Sequence, residues 1–198
     1  MAKPTFKNNV RRRLAMPVAR MLAALGVTPN MVTMGGLVFV LVAGYLASQG
    51  WFIAAGLVLL FSGGFDAVDG TLARLTGKSS DAGAFLDSFT DRLAEAGFLG
   101  GMAWYYLSQE PPALGGAMLA FGTFVASVMV SYARARSEGL GIECSIGAVA
   151  RTERVLIMGI GVAIGFPTPT LWAVFALSAL TATRRFIHTF REAKKRQS

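Results

Sequence analysis

The chain has 198 residues, of which 54% are hydrophobic and only 15% are charged, and its mean hydropathy is +0.52. Soluble domains carry about a quarter charged residues, so this composition argues against a soluble protein and indicates an integral membrane protein. The formal net charge is +8. A single cysteine, Cys144, excludes an internal disulfide framework.

Six apolar segments are long enough to cross a bilayer. They lie at residues 28–49, 51–75, 82–107, 112–133, 153–170 and 171–190. None of the 19 basic residues falls in the loops near position 50, at 108–113 or at 165–169. This distribution follows the positive-inside rule. We therefore expect an all-α fold with six transmembrane helices and both termini in the cytoplasm.

The first 27 residues are basic and precede the first predicted span. Apolar residues recur there at helical spacing: Phe6, Val10, Leu14, Val18, Met21, Leu22 and Leu25. We expect an amphipathic helix on the cytoplasmic leaflet, bent at Pro17, followed by a six-span domain at 28–190 and a basic tail at 191–198. No cleavable signal peptide is expected. The basic charge could also indicate nucleic-acid binding, but no nucleic-acid module accompanies it, so we expect no nucleic-acid partner.

Six of the eleven acidic residues lie between positions 66 and 95, within two predicted spans. A carboxylate in hydrocarbon costs roughly 2.5–3.5 kcal/mol, so a compensating positive charge is expected. Asp66 and Asp69 share a helix face, as do Asp87 and Asp91. Two such faces opposed would supply four carboxylates to Mg²⁺ or Mn²⁺, which prefer oxygen ligands. Two ions bridged by carboxylates would suit displacement at phosphorus.

The residues around these acids suit the same chemistry. Gly70 has no side chain, so a phosphate could approach its backbone. Arg74 lies on roughly the same face and could bind a diphosphate with its planar fork. One alternative is a structural ion network in which the acids pair with Arg74, Lys78 and Arg92. Another is a small ion transporter, since acidic residues in spans also mark ion pathways.

The acidic segment carries a complete motif, D-x-x-D-G-x-x-A-R-x(8)-G-x(3)-D-x(3)-D. Its eight fixed positions are Asp66, Asp69, Gly70, Ala73, Arg74, Gly83, Asp87 and Asp91. With this motif, the sequence resembles the CDP-alcohol phosphotransferase family. The segment Thr28–Thr33 and the six-span plan fit the same resemblance, which covers nearly the whole chain.

The resemblance implies a role for each matched residue. Asp66, Asp69 and Asp87 would be metal ligands, and Asp91 would be both a metal ligand and the general base. The donor would be CDP-diacylglycerol, bound by Asn30, Met31, Val32, Thr33, Asp69, Gly70, Arg74 and Ser80. The site would face the cytoplasm at the cell membrane, and the protein would be a homodimer.

The loop between the fourth and fifth predicted spans bears on the acceptor. It contains four arginines that suit an acceptor already carrying phosphate: Arg134, Arg136, Arg151 and Arg154. The pattern Y-x-R-A-R-x-E followed by R-x-E-R is similar to that of the phosphatidylinositol phosphate synthases and related archaeal enzymes. This similarity implies inositol phosphate as acceptor. Glycerol 3-phosphate, used by a phosphatidylglycerophosphate synthase, remains the alternative because its phosphate would use the same arginines.

Overall fold

The computed structural model describes residues 6–147 and 149–196, with only the backbone described for residues 6–14. The described residues form eight helices and no strands. The helices are α1 Phe6–Ala24, α2 Pro29–Ser48, α3 Phe52–Ser62, α4 Phe65–Leu75, α5 Asp81–Leu107, α6 Leu114–Gly139, α7 Arg151–Ala163 and α8 Pro167–Lys195. The prediction of an all-helical fold is therefore confirmed for the described part of the chain.

Six of the helices form a closed ring. Following packed neighbours around it, the order is α2, α5, α6, α8, α7 and α3, with α3 packing back on α2. Helix α4 continues α3 beyond Gly63 and Gly64 and also packs on α2. Within the described residues, α5 and α7 are not packing neighbours, and a cavity with about 730 Å³ of atom-free space, part of it open to solvent, is lined by both. Side chains from α5 and α7 therefore meet across this cavity.

Glycines bring the backbones of α2 and α5 into direct contact. A Cβ atom on Gly101 would collide with the carbonyl oxygen of Gly44, and a Cβ on Gly44 would collide with the backbone of Gly97. Close backbone approach at small residues is the usual way in which helices pack in membranes. Since α5 carries two of the motif carboxylates, this contact helps to fix their position.

Two N-terminal caps place the beginnings of α2 and α5. The Thr28 side chain accepts a hydrogen bond from the Met31 N–H at 3.3 Å, and Pro29 occupies the first turn, where its missing N–H costs nothing. The Ser80 side chain accepts from the Gly83 N–H at 3.1 Å. The segments predicted to bind the donor therefore start two helices.

Helix α1 packs against α4. Ala19 is fully buried in a small apolar cluster with Val32 and Leu72. The helix continues through Pro17, while Val18 and other apolar side chains of this helix remain exposed. Of the predicted amphipathic series, the side chains of Phe6, Val10 and Leu14 lie outside the described residues, as do residues 1–5. Location on a membrane surface therefore stays a prediction.

Three helical segments of the described chain are long and apolar enough to cross a membrane: Pro29–Ser48, Phe52–Leu75 and Leu114–Gly139. The predicted spans at 28–49 and 82–107 match α2 and α5 to within one residue at each end, and the predicted span at 51–75 matches the segment Phe52–Leu75 that α3 and α4 form together. The predicted spans at 153–170 and 171–190 have different boundaries, because the turn at 164–166 falls inside the first of them. Helix α7 ends at Ala163, which makes it about 20 Å long, and α8 begins at Pro167.

Helix α8 continues through residues 191–195 of the predicted basic tail and ends at Lys195. Residues 197–198 lie outside the described part. Three side chains near the end of α8 bind backbone oxygens of the α6–α7 loop: Arg185 to Ile146, His188 to Glu143, and Arg196 to Leu140 and Gly141. The C-terminal end of the chain therefore anchors the loop that leads into α7.

Candidate metal centre

Three motif aspartates converge at one end of the central cavity. Asp66 in α4 and Asp87 and Asp91 in α5 each offer a carboxylate oxygen, and these oxygens all lie within 4.8 Å of one another. We call these three residues the carboxylate cluster. Asp87 and Asp91 share a face because they are four residues apart in a helix. The packing of α2 on both α4 and α5 brings Asp66 to the same place.

The donor atoms and their spacing fit a divalent metal ion. Hard cations such as Mg²⁺ and Mn²⁺ take oxygen ligands, and carboxylates are the usual protein donors. Two unit charges 4.8 Å apart repel by about 3 kcal/mol at an effective dielectric constant of about 20. Three ionised carboxylates at this spacing therefore require nearby positive charge, and part of it comes from the protein itself.

Arg151 at the start of α7 supplies part of that charge. Its Nη1 forms ion pairs with Oδ2 of Asp66 and, at 2.8 Å, with Oδ1 of Asp91. Arg92 adds a longer pair of 3.4 Å to Oδ2 of Asp91. Two guanidinium groups thus face the three carboxylates of the cluster, and the excess of acidic over basic groups favours binding of a cation.

Asp69, the fourth predicted metal ligand, makes separate contacts. Its Oδ2 accepts a hydrogen bond from the Thr33 hydroxyl at 2.8 Å, and its Oδ1 accepts from the backbone N–H of Gly70. The residue is 8% exposed. The structure therefore ties Asp69 to the start of α2, beside the carboxylate cluster, while its predicted metal ligation stays a prediction.

The residues predicted to bind the donor come together beside Asp69. A Cβ atom on Gly83 would lie 3.6 Å from the Asn30 amide oxygen and 3.3 Å from the Ser80 hydroxyl. A Cβ on Gly70 would lie 3.6 Å from the guanidinium of Arg74, so this side chain folds back over Gly70. The starts of α2 and α5 and the middle of α4 thus form one polar surface.

Two other residues of the predicted donor site differ in their surroundings. Met31 is 59% exposed, whereas Val32 is 5% exposed and packs in the apolar cluster under α1. A buried Val32 supports the backbone of this segment by packing, and the exposed Met31 side chain remains available for contact with a ligand.

The four predicted acceptor-binding arginines separate into two groups. Arg134 and Arg136 lie on the exposed last turns of α6, where Arg134 pairs with Glu138 at 2.8 Å. Arg151 and Arg154 lie on α7 and line the central cavity. Arg154 is 3% exposed, and its Nη2 donates to Oε1 of Glu95 at 2.7 Å. Their role in acceptor binding stays a prediction.

Sequence reasoning did not single out Glu95, which lines the cavity, or Arg185, which binds α6 and the loop that leads into α7. Glu95 lies four residues after Asp91, and this spacing was a signal that could have identified it. Arg185 is 8% exposed and donates to the carbonyl oxygens of Val130 and Ile146, each at 2.8 Å. Nothing in the local sequence of Arg185 indicates these contacts, because its partners lie 55 and 39 residues away.

Known proteins with similar sequences cover nearly the whole chain. The archaetidylinositol phosphate synthase of Pyrococcus horikoshii is 38% identical over 199 residues, which span 96% of this chain and 97% of the relative. The phosphatidylinositol phosphate synthase of Corynebacterium glutamicum is 35% identical over 181 residues, spanning 86% of this chain and 81% of the relative.

Solved structures show the same fold. The crystal structure of Mycobacterium tuberculosis phosphatidylinositol phosphate synthase with CDP-DAG bound matches with a TM-score of 0.82 and 26% identity, covering 90% of this chain and 94% of that one. The same enzyme in complex with manganese and citrate matches with a TM-score of 0.80 and 26% identity, covering 89% of this chain and 88% of that one.

The apolar helices, taken with these matches, indicate an integral membrane protein. The resemblance inferred from the motif is confirmed over most of the length, since the family match spans residues 26–190. The chain belongs to the CDP-alcohol phosphatidyltransferase family.

Proposed function

We propose that the protein transfers a phosphatidyl group from CDP-diacylglycerol to inositol phosphate, giving phosphatidylinositol phosphate and CMP. The observation that carries this proposal is the convergence of Asp66, Asp87 and Asp91 on one cavity that two α7 arginines also line. Similarity to phosphatidylinositol phosphate and archaetidylinositol phosphate synthases, one of them solved with CDP-DAG bound, supports CDP-diacylglycerol as donor and inositol phosphate as acceptor.

The donor would bind on the polar surface formed by α2, α4 and α5. Asn30, Thr33 and Ser80 would contact the cytidine side. Gly70 would let the diphosphate approach the backbone, and the Arg74 guanidinium above it would pair with phosphate oxygens. Asp69, held by Thr33, would complete this surface between the nucleotide and the carboxylate cluster.

Asp66, Asp69, Asp87 and Asp91 would hold the metal, which we propose to be Mg²⁺ or Mn²⁺ in two copies. When bound, these ions supply positive charge that stabilises the diphosphate and the departing CMP. The three carboxylates of the cluster lie close enough together to serve as shared ligands.

Asp91 would act as the general base. It would accept the proton of the acceptor hydroxyl, whose oxygen then forms a bond to the phosphorus that carries diacylglycerol. The bond from that phosphorus to the bridging oxygen of CMP breaks, and CMP leaves with the electron pair. Arg134, Arg136, Arg151 and Arg154 would bind the phosphate of the acceptor.

Incubation of the purified protein with CDP-diacylglycerol tests the function directly. Inositol 3-phosphate, glycerol 3-phosphate, free inositol and serine would each be offered with Mg²⁺ or Mn²⁺, and CMP and lipid product would be measured. We expect product from inositol 3-phosphate and none after chelation of the metal. Product from glycerol 3-phosphate alone would contradict the proposed acceptor, and absence of metal-dependent CMP release in detergent would favour the transporter hypothesis.

We also propose six transmembrane helices, cytoplasmic termini, an active site at the cytoplasmic face and a homodimer. The placement of basic residues supports this orientation. Cys144 is buried and is the single cysteine, so a Cys144→Ala background allows new cysteines to be labelled one at a time. An impermeant maleimide on intact cells should label a cysteine at Gln109 but not one at Ser79. The opposite pattern would invert the topology, and light scattering of the purified protein would test the dimer.

A further inference from the structure

A second charged pair crosses the central cavity near the carboxylate cluster. Arg154 of α7 pairs with Glu95 of α5 at 2.7 Å, and the two side chains are only 4% and 11% exposed. Glu95 lies one helical turn beyond Asp91 on the same face of α5. It belongs neither to the eight-position motif nor to the carboxylate cluster. Metal binding therefore does not explain this buried pair.

Arg154 also has unused hydrogen-bonding capacity. Its Nε is buried and donates to no acceptor among the residues that the structure describes. A buried N–H group without an acceptor is unfavourable, and most such groups in proteins are satisfied. The side chain lines the same cavity as Asp91 and Ser127. An acceptor atom for Arg154 could therefore come from a molecule bound in that cavity.

We propose that Glu95 is a positioning residue that holds Arg154 in place for the phosphate of the acceptor; this inference rests on the proposed function. An arginine side chain is long and flexible, and it loses considerable rotamer freedom when it is fixed. Since α5 and α7 are not packing neighbours among the described residues, the ion pair spans the gap between them. The Glu95 carboxylate binds only Nη2 of Arg154, so the other nitrogens of this guanidinium group remain able to donate hydrogen bonds to an anion.

Arg154 and Asp91 have separate ion-pair partners. Asp91 already forms ion pairs with Arg151 and Arg92. Glu95 binds Arg154 one helical turn beyond Asp91, so the group that would bind phosphate is paired outside the carboxylate cluster.

Steady-state kinetics of Glu95→Gln and Glu95→Asp test this role in the full-length protein in detergent with mixed lipid. The acceptor is whichever one gives product with the wild type. For Glu95→Gln we expect the acceptor KM to rise about tenfold to a hundredfold, the effect of misplacing one charge-assisted hydrogen bond. The kcat at saturating acceptor and the KM for CDP-diacylglycerol should stay close to wild type. Glu95→Asp, which keeps the carboxylate, should restore part of the lost affinity.

Two controls separate positioning from folding. Glu192→Gln breaks an exposed pair with Lys195 on the surface of α8 and should leave all kinetic constants unchanged. Thermal unfolding shows whether each variant is folded. If Glu95→Gln is unfolded, the double variant Glu95→Gln/Arg154→Gln is measured in its place, because it carries no buried charge at either position. A folded double variant should bind donor normally and show the same high acceptor KM as Arg154→Gln.

The outcomes distinguish this inference from the proposed function. A folded Glu95→Gln or double variant with wild-type acceptor KM would overturn the positioning role. Loss of kcat with an unchanged acceptor KM would overturn it as well. If the wild type makes product only from another phosphorylated acceptor, the proposed acceptor is wrong, and the Glu95 prediction is then judged on that acceptor.

Discussion

The carboxylate cluster and the arginines that face it are built in different ways. Asp87 and Asp91 lie on a single helix, and the packing of neighbouring helices adds Asp66. The arginines that line the cavity, Arg151 and Arg154, lie at the start of α7 and reach α5 across it. The carboxylate cluster, which we call the acidic side, is thus held in place by backbone packing. The position of the arginines, which we call the basic side, depends on long side chains. We expect substitutions on the acidic side to affect turnover and those on the basic side to affect acceptor affinity.

Asp91→Asn should give the largest effect. If Asp91 is the general base, turnover should fall about 10²-fold to 10⁴-fold, the usual contribution of a positioned base. CDP-diacylglycerol binding should be largely kept, because the amide has the same shape. CMP release and donor binding would be measured on the same preparation. Unimpaired CMP release would remove Asp91 from this role, and Asp81→Asn, at the exposed start of α5, is the matched control.

Gly101→Val tests whether backbone packing holds the acidic side. Any Cβ at Gly101 would collide with the carbonyl oxygen of Gly44, so the helices would have to separate. Overpacking of this kind typically costs about 1–3 kcal/mol, and we expect a lower unfolding temperature together with reduced activity. Gly100→Val is the control, since a Cβ there meets no atom within 4 Å. Equal stability of the two variants would contradict the tight α2–α5 contact.

Arg151→Gln sharpens the contrast between the two arginines of α7. Arg151 and the proposed metal bind the same carboxylates, those of Asp66 and Asp91. Removal of the guanidinium should raise Mn²⁺ affinity about threefold to tenfold, because it ends both the competition for these carboxylates and the repulsion between the two positive charges. Arg154→Gln should leave Mn²⁺ affinity nearly unchanged because its partner is Glu95. Free Mn²⁺ would be measured by electron paramagnetic resonance. Weaker binding by Arg151→Gln would show that Arg151 does not compete with the ion.

Thr33→Val should give the smallest effect. The change removes the hydrogen bond to Asp69 and keeps the side-chain shape. A typical intramolecular hydrogen bond contributes about 0.5–1.5 kcal/mol, and Thr33 would act on the donor only through Asp69, so the KM for CDP-diacylglycerol should rise about twofold to tenfold. Thr33→Ser keeps the hydroxyl and should behave as wild type. A changed KM for the acceptor with an unchanged KM for CDP-diacylglycerol would mean that Thr33 acts on acceptor binding, which would contradict this prediction.

The helical spacing of the aspartates was enough to predict much of the carboxylate cluster. The spacing of Asp87 and Asp91 correctly predicted a shared face, and the Thr28 and Ser80 caps coincide with segments that the motif comparison had identified. The same spacing argument placed Asp66 and Asp69 together. In the structure Asp66 joins the cluster, and Asp69 bonds to Thr33, because α2 packs against α4 on that side.

The basic side could not be predicted in this way. The sequence presents four arginines alike, although Arg134 and Arg136 are exposed and Arg154 is buried. Their difference arises because α6 extends six residues beyond its predicted end and because α7 begins beside the cavity that α5 also lines. Glu95 and Arg185 acquire their importance from partners far away in sequence. Helical periodicity carries no information about such distant contacts.

Equilibrium Mn²⁺ binding to the purified protein tests the central claim that Asp66, Asp87 and Asp91 hold a divalent cation. The wild type should bind Mn²⁺ saturably, and Asp66→Asn/Asp87→Asn/Asp91→Asn should bind it more weakly by about a hundredfold or more, with Asp81→Asn unchanged. Equal Mn²⁺ affinity of the wild type and a folded triple variant would contradict the account.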